Sequence, residues 1–405
     1  MDTEDDGLDA EAERGAAATA ADGLPDDAVV EILSRVPARS IHRFKCVSKP
    51  WRDLIANLLH RKRLPQTLED FVCCAGAGAS FHGRFISLPG SGRSAPPVDP
   101  SFSFLSKLSG IESIELVGSC NWLLLFKRGR NRGVGRPDYA VCNPATEQLV
   151  AVPGPGRPSP GPVSEVRTYL IFDPAVSPHF HLVHIWQEDF LGVIEVRAYS
   201  SETRAWSDWA SQPRRSQDGG GWKRWVNGGA ILTSTGACVN GMVYLIISNI
   251  MQGKYLITML DREGKMCGII RWPDNRDFPR FVGQSQGLLH CVGLLLEREE
   301  NCLKWAGLSI WVLKDYDTEE WVLKHRVSFL ELFGQMSCLD GYNSNVLAIH
   351  TDCNLIFILQ HSSQELISYD MDSKELHAFH TLGHNYGSPT PYVPSFLKLV
   401  LANEH

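Results

Sequence analysis

The sequence has no apolar run long enough to cross a bilayer. Candidates such as Met242–Ile247 and Leu294–Leu296 fall far short of the roughly 20 residues that a spanning helix needs. No basic leader followed by an apolar core opens the chain, so no secretory signal is read there. The eleven cysteines contain no Cys-x-x-Cys, their count is odd, and Cys73 and Cys74 are adjacent. They read as reduced, mostly buried thiols of a cytoplasmic or nuclear protein. No Gly-x-Ser-x-Gly elbow is read, and no His-Glu-x-x-His or Walker pattern occurs. Gly133-Val134-Gly135 opens no helix and is not a nucleotide loop. His179, His181 and His184 form His-x-His-x-x-His, but on a strand the third would point away from the other two, so no metal site is expected. Asp261 and Asp370 fall in turns, where Asp bonds its own backbone. The expectation is a non-catalytic chain with no cofactor.

A global field is lacking too. The formal net charge is −7, and the segment 1–23 carries eight acids against the single base Arg14, which accounts for all of it. The rest holds equal numbers of acids and bases, so neither nucleic acid nor a membrane surface is an expected partner. The acidic, alanine-rich stretch 1–22 reads as a disordered tail.

What is present begins at Leu24. Pro25, Asp26 and Asp27 suit the first turn of a helix, and Val29, Ile32, Leu33 and Val36 follow at i, i+3, i+4 and i+7, one apolar face. Pro37 ends that helix. Ser40 can cap a second, with Ile41, Phe44 and Val47 on one face. Ser48 can cap a third, with Pro50 in its first turn and Trp51, Leu54, Ile55 and Leu58 inward. Leu24-Pro25, Ile32-Leu33, Val36-Pro37, Ser40, Arg43, Cys46-Val47-Ser48-Lys49 and Trp51 resemble an F-box, which places that domain at 23–65. The resemblance implies docking on the Skp adaptor and, through it, the cullin scaffold of an SCF-type ubiquitin ligase. Leu24, Pro25, Ile32, Leu33, Val36, Pro37, Val47 and Trp51 would lie at or behind that contact. A generic helical hairpin or a DNA-reading helix-turn-helix is the competing reading, and the third helix carries too few exposed basic side chains to favour the latter.

From about residue 66 to 401 the chain reads as strands and turns. A strand, a short polar turn and a second strand recur five times, with Thr146, Thr203, Gly264, Thr318 and Ser373 in register. The gaps are about 57, 61, 54 and 55 residues, near the period of kelch-type propellers. Cys120–Phe126, Met242–Ile247, Gly287–Gly293 and Leu355–Leu359 read as strands upstream of four of these turns. The expected fold is therefore multidomain, an α-helical F-box followed by an all-β, kelch-like propeller of six blades. Its first blade falls within 70–120, and Phe396–Leu401 is a candidate closing strand. A pair of β-sandwiches would not explain the regular spacing. Asp138–Gln148, the Phe172-Asp173-Pro174 segment and the Ser309–Tyr316 segment resemble the F-box-associated domain of large plant F-box families, which implies a target-recognition half. The alternative is a propeller enzyme or small-molecule sensor with the F-box as a regulatory tether. A scaffold that binds without promoting ubiquitylation is a further alternative. For target contact the candidates are Arg128, Arg130 and Arg132 in the basic loop 127–136, and Trp222 and Trp225 among the arginines of 213–225.

Overall fold

The structure, a computed structural model, describes residues 24–33, 44, 47–56, 68–76, 81–89, 101–107, 113–129, 138–156, 165–188, 192–207, 229–231, 236–249, 254–274, 276–299, 302–334, 344–383, 385–395 and 399. The chain divides into two compact units, Met1–Gln66 and Thr67–His405.

In the first unit, helix α1 spans Asp26–Leu33 and α2 spans Lys49–Ala56. The carbonyl of Pro25 accepts from Ala28 and Val29, so Pro25 stands just ahead of the helix. The Ser48 side chain caps α2 by accepting from the Trp51 amide at 3.3 Å. Val29, Val30 and Leu33 of α1 pack on Leu54 and Ile55 of α2, with Phe44 against the Trp51 ring at 5.3 Å. The buried stripe is thus Val29, Val30 and Leu33. Ile32, expected on that stripe, faces out, because the neighbour Val30 takes its place. Val36 and Pro37, expected at the end of the first helix, lie outside the described residues, as does the expected second helix from Ser40 apart from Phe44 and Val47.

In the second unit, strands alternate with tight turns to build six antiparallel sheets. Blade 2 holds β3 (Ser113–Cys120), β4 (Leu123–Gly129), β5 (Asp138–Asn143) and β6 (Gln148–Val152). Blade 3 holds β7 (Glu165–Ile171), β8 (His181–Glu188), β9 (Gly192–Ser200) and β10 (Ala205–Trp206). In blade 4 the first position is shared by β11 (Gly229–Ile231) and β12 (Ala237–Val239), followed by β13 (Met242–Asn249), β14 (Lys254–Leu260) and β15 (Met266–Arg271). Blade 5 runs from β16 (Asp277–Ser285) through β17 (Leu288–Glu299) and β18 (Cys302–Asp315) to β19 (Glu320–Ser328). Blade 6 is β20 (Ser344–Ile349), β21 (Leu355–Gln360), β22 (Glu365–Asp370) and β23 (Leu376–Thr381).

Blade 1 is assembled from both ends of this unit. Its β1 (Asp70–Ala75) pairs on one side with β2 (His82–Ser87) and on the other with β24 (Thr390–Tyr392). The closing strand is therefore Thr390–Tyr392, not the expected Phe396–Leu401. Beyond it the chain runs on along blade 2. There the Asn143 side chain donates to the Ser395 carbonyl at 2.9 Å, the Gln148 side chain brackets Leu399, and Leu399 is buried.

No blade has a core of its own. Apolar residues form six clusters, one between each pair of neighbouring blades. Side chains alternate across a strand, so a central strand serves two clusters. Leu123 and Leu125 of β4 face blade 3, while Leu124 and Phe126 face blade 1. Ile356 and Ile358 of β21 face blade 5, while Phe357 and Leu359 face blade 1. This is why these strands read as continuous apolar runs rather than as alternation.

The turns follow the expected register. Thr146, Thr203, Gly264, Thr318 and Ser373 each lie between the third and fourth strands of blades 2 to 6. Asp261 accepts from the amides of Glu263 and Lys265, and Asp370 from those of Asp372 and Ser373, which is why Asp stands there. Asn240-Gly241 and Gln286-Gly287 have positive φ at both residues, the hairpin geometry that matches strand twist. Cys120–Phe126, expected as one strand, is a hairpin. Asn121 takes φ 53° and turns the chain between β3 and β4.

Blade 5 contains a position where only glycine fits. A Cβ at Gly307 would stand 2.2 Å from the Val327 carbonyl oxygen and 2.9 Å from the Ser328 Cα, both backbone atoms. Gly307→Ala is expected to cost about 1–3 kcal/mol, read as a lower urea midpoint. An unchanged midpoint would mean that the β18–β19 pairing yields at no cost.

Candidate functional site

The two units offer separate surfaces. In the first, the residues expected to meet a partner fall into two sets. Leu33 is buried, and Trp51 is half-buried against Phe44, so both hold the helices together. Leu24, Ile32 and Val47 are 43%, 53% and 64% exposed, and Pro25 is exposed as well. Three large aliphatic side chains thus stand in water on a small helical unit. Val36 and Pro37 lie outside the described residues.

In the second unit the first strand of each blade lines the axis, with β24, β3, β16 and β20 all bordering a cavity of about 620 Å³. The cavity lies where these strands begin. Its wall takes Ile114–Val117 from blade 2, Phe278–Phe281 from blade 5, Asn345–Leu347 from blade 6, and Cys74–Gly76, Phe81 and the segment 387–391 from blade 1. The β17–β18 hairpin extends past this end, because Asp277, the first residue of β16, pairs with Leu295, and β17 continues to Glu299. Gly129 and Asp138, which flank the basic loop, end their strands at this same face, as does Gly229, which follows the tryptophan-rich segment. Arg130, Arg132, Trp222 and Trp225 themselves lie outside the described residues. Arg128 is a β4 residue opposite Ile114 and Asp138 and is only 7% exposed, so its side chain is not at the surface.

Among the described residues lining the cavity there is one carboxylate, Glu115, one guanidinium, Arg280, and no histidine. Two or more convergent acids or histidines, which the enzyme reading requires, are not gathered there. The three histidines singled out in the sequence lie in blade 3. His184 is buried, its Nδ1 at 2.7 Å from Thr168 Oγ1 and 3.2 Å from Tyr139 Oη, while Thr168 donates to Tyr139. Burial, then the fields of Lys127 and Arg197, pull its pKa down to about 3. Burial, then Arg262, brings His181 to about 4. His184 is thus a neutral packing residue between blades 2 and 3, whereas His181 lies on the other face of β8, with Val183 and Ile185 toward blade 4.

One spacing escaped the sequence reading. Gly283-Gln284-Ser285-Gln286-Gly287 matches the Gly-x-Ser-x-Gly of a nucleophile elbow. Here it closes a β-hairpin rather than opening a helix. Ser285 is fully buried and donates to the His350 carbonyl at 2.7 Å, not to its ring. Its hydroxyl joins blade 5 to blade 6. Asn143, in the Asn-Pro-Ala-Thr stretch, is likewise structural, accepting from Ala145 and holding Ser395.

Comparison with known proteins agrees with this division. Residues 22–63 match the F-box domain family. The chain is 24% identical over 314 residues to F-box protein At5g65850 of Arabidopsis thaliana, covering 74% of this chain and 69% of that protein. It is 22% identical over 326 residues to F-box protein At1g52495 of the same plant, covering 74% and 67%. A solved structure titled "Crystal structure of Nidogen/Laminin Complex" aligns over 80% of this chain and 99% of that one, at 10% identity and a TM-score of 0.36, too low to bear on the fold. The strand pairings carry the propeller, the family match carries the helices, and the chain bears an F-box domain at residues 22–63 ahead of a six-bladed β-propeller.

Proposed function

We propose that this chain is a substrate-recognition subunit of an SCF-type ubiquitin ligase. F-box proteins generally serve as such adaptors, and this one joins its F-box to a propeller. The helical unit would dock on the Skp adaptor through Leu24, Pro25, Ile32 and Val47, and so reach the cullin scaffold, in the cytoplasm or nucleus. The propeller would hold a target protein at the face bearing the cavity. The chain itself would make and break no bond. It would raise the effective concentration of a target lysine beside a conjugating enzyme held elsewhere in the complex. The observation that supports this most is the sorting of F-box residues, since the core keeps Leu33 while Leu24, Ile32 and Val47 stand in solvent.

The test uses full-length protein and purified Skp adaptor. Ile32→Asp with Val47→Asp should leave the far-ultraviolet circular dichroism unchanged, because neither side chain is in the core. Adaptor affinity should fall about 10- to 100-fold, as for loss of apolar anchors from an interface. Failure of the wild type to capture the adaptor, with its helices intact, would remove the ubiquitin-ligase reading.

A further inference from the structure

We propose that the axial cavity takes an extended segment of the target polypeptide that carries an acidic group toward blade 5 and a basic group toward blade 2. The proposal rests on the propeller being the recognition half and names the class of segment it recognises.

The cavity, about 620 Å³, lies within the range of sites that bury a ligand of a few residues or a small molecule. Blades 5, 6, 1 and 2 form one continuous arc of its wall. Arg280 stands at one end of that arc and Glu115 at the other, and they are the charged side chains among its described lining. Arginine's planar fork matches a carboxylate or phosphate, and Glu115 suits an ammonium or guanidinium. His361 adds no charge beside Arg280, because burial, then the Arg280 field, keep its pKa below the usual value. Lys127 faces Glu115 in register from the next strand but is not part of the lining. Between the two charges the wall is mixed, with apolar Phe81, Leu116, Val346 and Leu347 beside Asn345, Asn385, Ser388 and Thr390.

Two features favour a polypeptide over a small metabolite. Asn345 and Asn385 line the cleft, and each amide offers both a donor and an acceptor, which is what a peptide group needs on its two edges. The lip at Asn385, Gly387 and Ser388 is exposed, so the cleft is open where a chain must enter and leave. That lip is already fixed, since the Gly387 amide donates to the Cys74 carbonyl at 3.0 Å, and less ordering is left to oppose binding.

The experiment selects a display library of random hexapeptides on immobilised full-length protein. Four proteins are compared, namely wild type, Arg280→Glu, Glu115→Lys and the double swap, with Arg280→Gln as a milder variant should reversal disturb folding. Wild type should enrich peptides with an acid near one end and a base near the other. Either single reversal should weaken those peptides at least about tenfold, Arg280→Gln should lose the acid preference alone, and the swap should favour the opposite polarity. Enrichment without a charge pair, no enrichment at all, or equal binding by the single variants would overturn the proposal. Skp adaptor capture by the same protein reads the adaptor function separately, so failure of one does not mask the other.

Discussion

A chain that stops after Ser388 is expected to lose the cooperative unfolding transition of its propeller. Removal of Thr390–Tyr392 strips β1 of a partner and leaves its edge unpaired. Tyr392 is fully buried in the cluster between blades 1 and 2, and truncating a buried aromatic alone costs about 3–5 kcal/mol. The bonds of Asn143 and Gln148 to residues 395 and 399 go as well, and so does buried Leu399. Together these losses approach the whole stability of a typical domain, about 5–15 kcal/mol. Urea unfolding followed by tryptophan fluorescence is the measurement. A broad, early transition is expected, while Tyr392→Ala alone should keep a single transition at a lower midpoint. A truncated chain with the native midpoint would show that blade 1 does not close the ring in this way.

Acid should destabilise the propeller well above the pH at which its carboxylates protonate. His184 has a folded pKa of about 3, and an unfolded histidine titrates near 6.5. Between those values the unfolded chain binds a proton that the folded one refuses, so stability falls as pH drops through this window and is fully present above it. At about 1.4 kcal/mol for each tenfold, the gap corresponds to at most about 5 kcal/mol. His181 and His290, both brought to about 4 chiefly by burial, act in the same direction. His184→Leu isolates the effect, because Thr168 and Tyr139 still bond to each other at 2.8 Å. The variant should be less stable at pH 7.5, yet its stability should fall less steeply from pH 6.5 to 4. An equal slope in both proteins would mean that His184 does not carry the dependence.

The parts legible in the sequence are those where a local rule decides. Asn143, Ser200, Asp261, Asp315 and Asp370 each accept from a backbone amide of their own turn, so the five turns of blades 2 to 6 repeat visibly. Blade 1 was not legible because no repeat spacing can reveal a sheet whose strands stand at residues 70–87 and 390–392. The Cys120–Phe126 hairpin was hidden by Trp122, a buried apolar residue in a turn. On α1, helical spacing fits both Ile32 and Val30, and only the position of α2 decides which is inside. Arg128 shows the same limit, since a base beside a glycine-rich loop reads as exposed until the strand pairing turns it inward. The cleft could not be read at all, because Glu115 and Arg280 are brought to one wall by ring closure.

That closure also imposes an order on synthesis. The ribosome delivers β1 and β2 before every other described strand of the propeller and Thr390–Tyr392 after them, so the earliest sheet waits for the other five blades before its inner strand arrives. Long-range pairing of this kind is slow and leaves a strand edge bare meanwhile. The F-box leaves the ribosome earlier still. On the proposed function, a nascent or prematurely terminated chain would present its F-box with an unfinished ring, a species that would occupy the ligase without delivering a target.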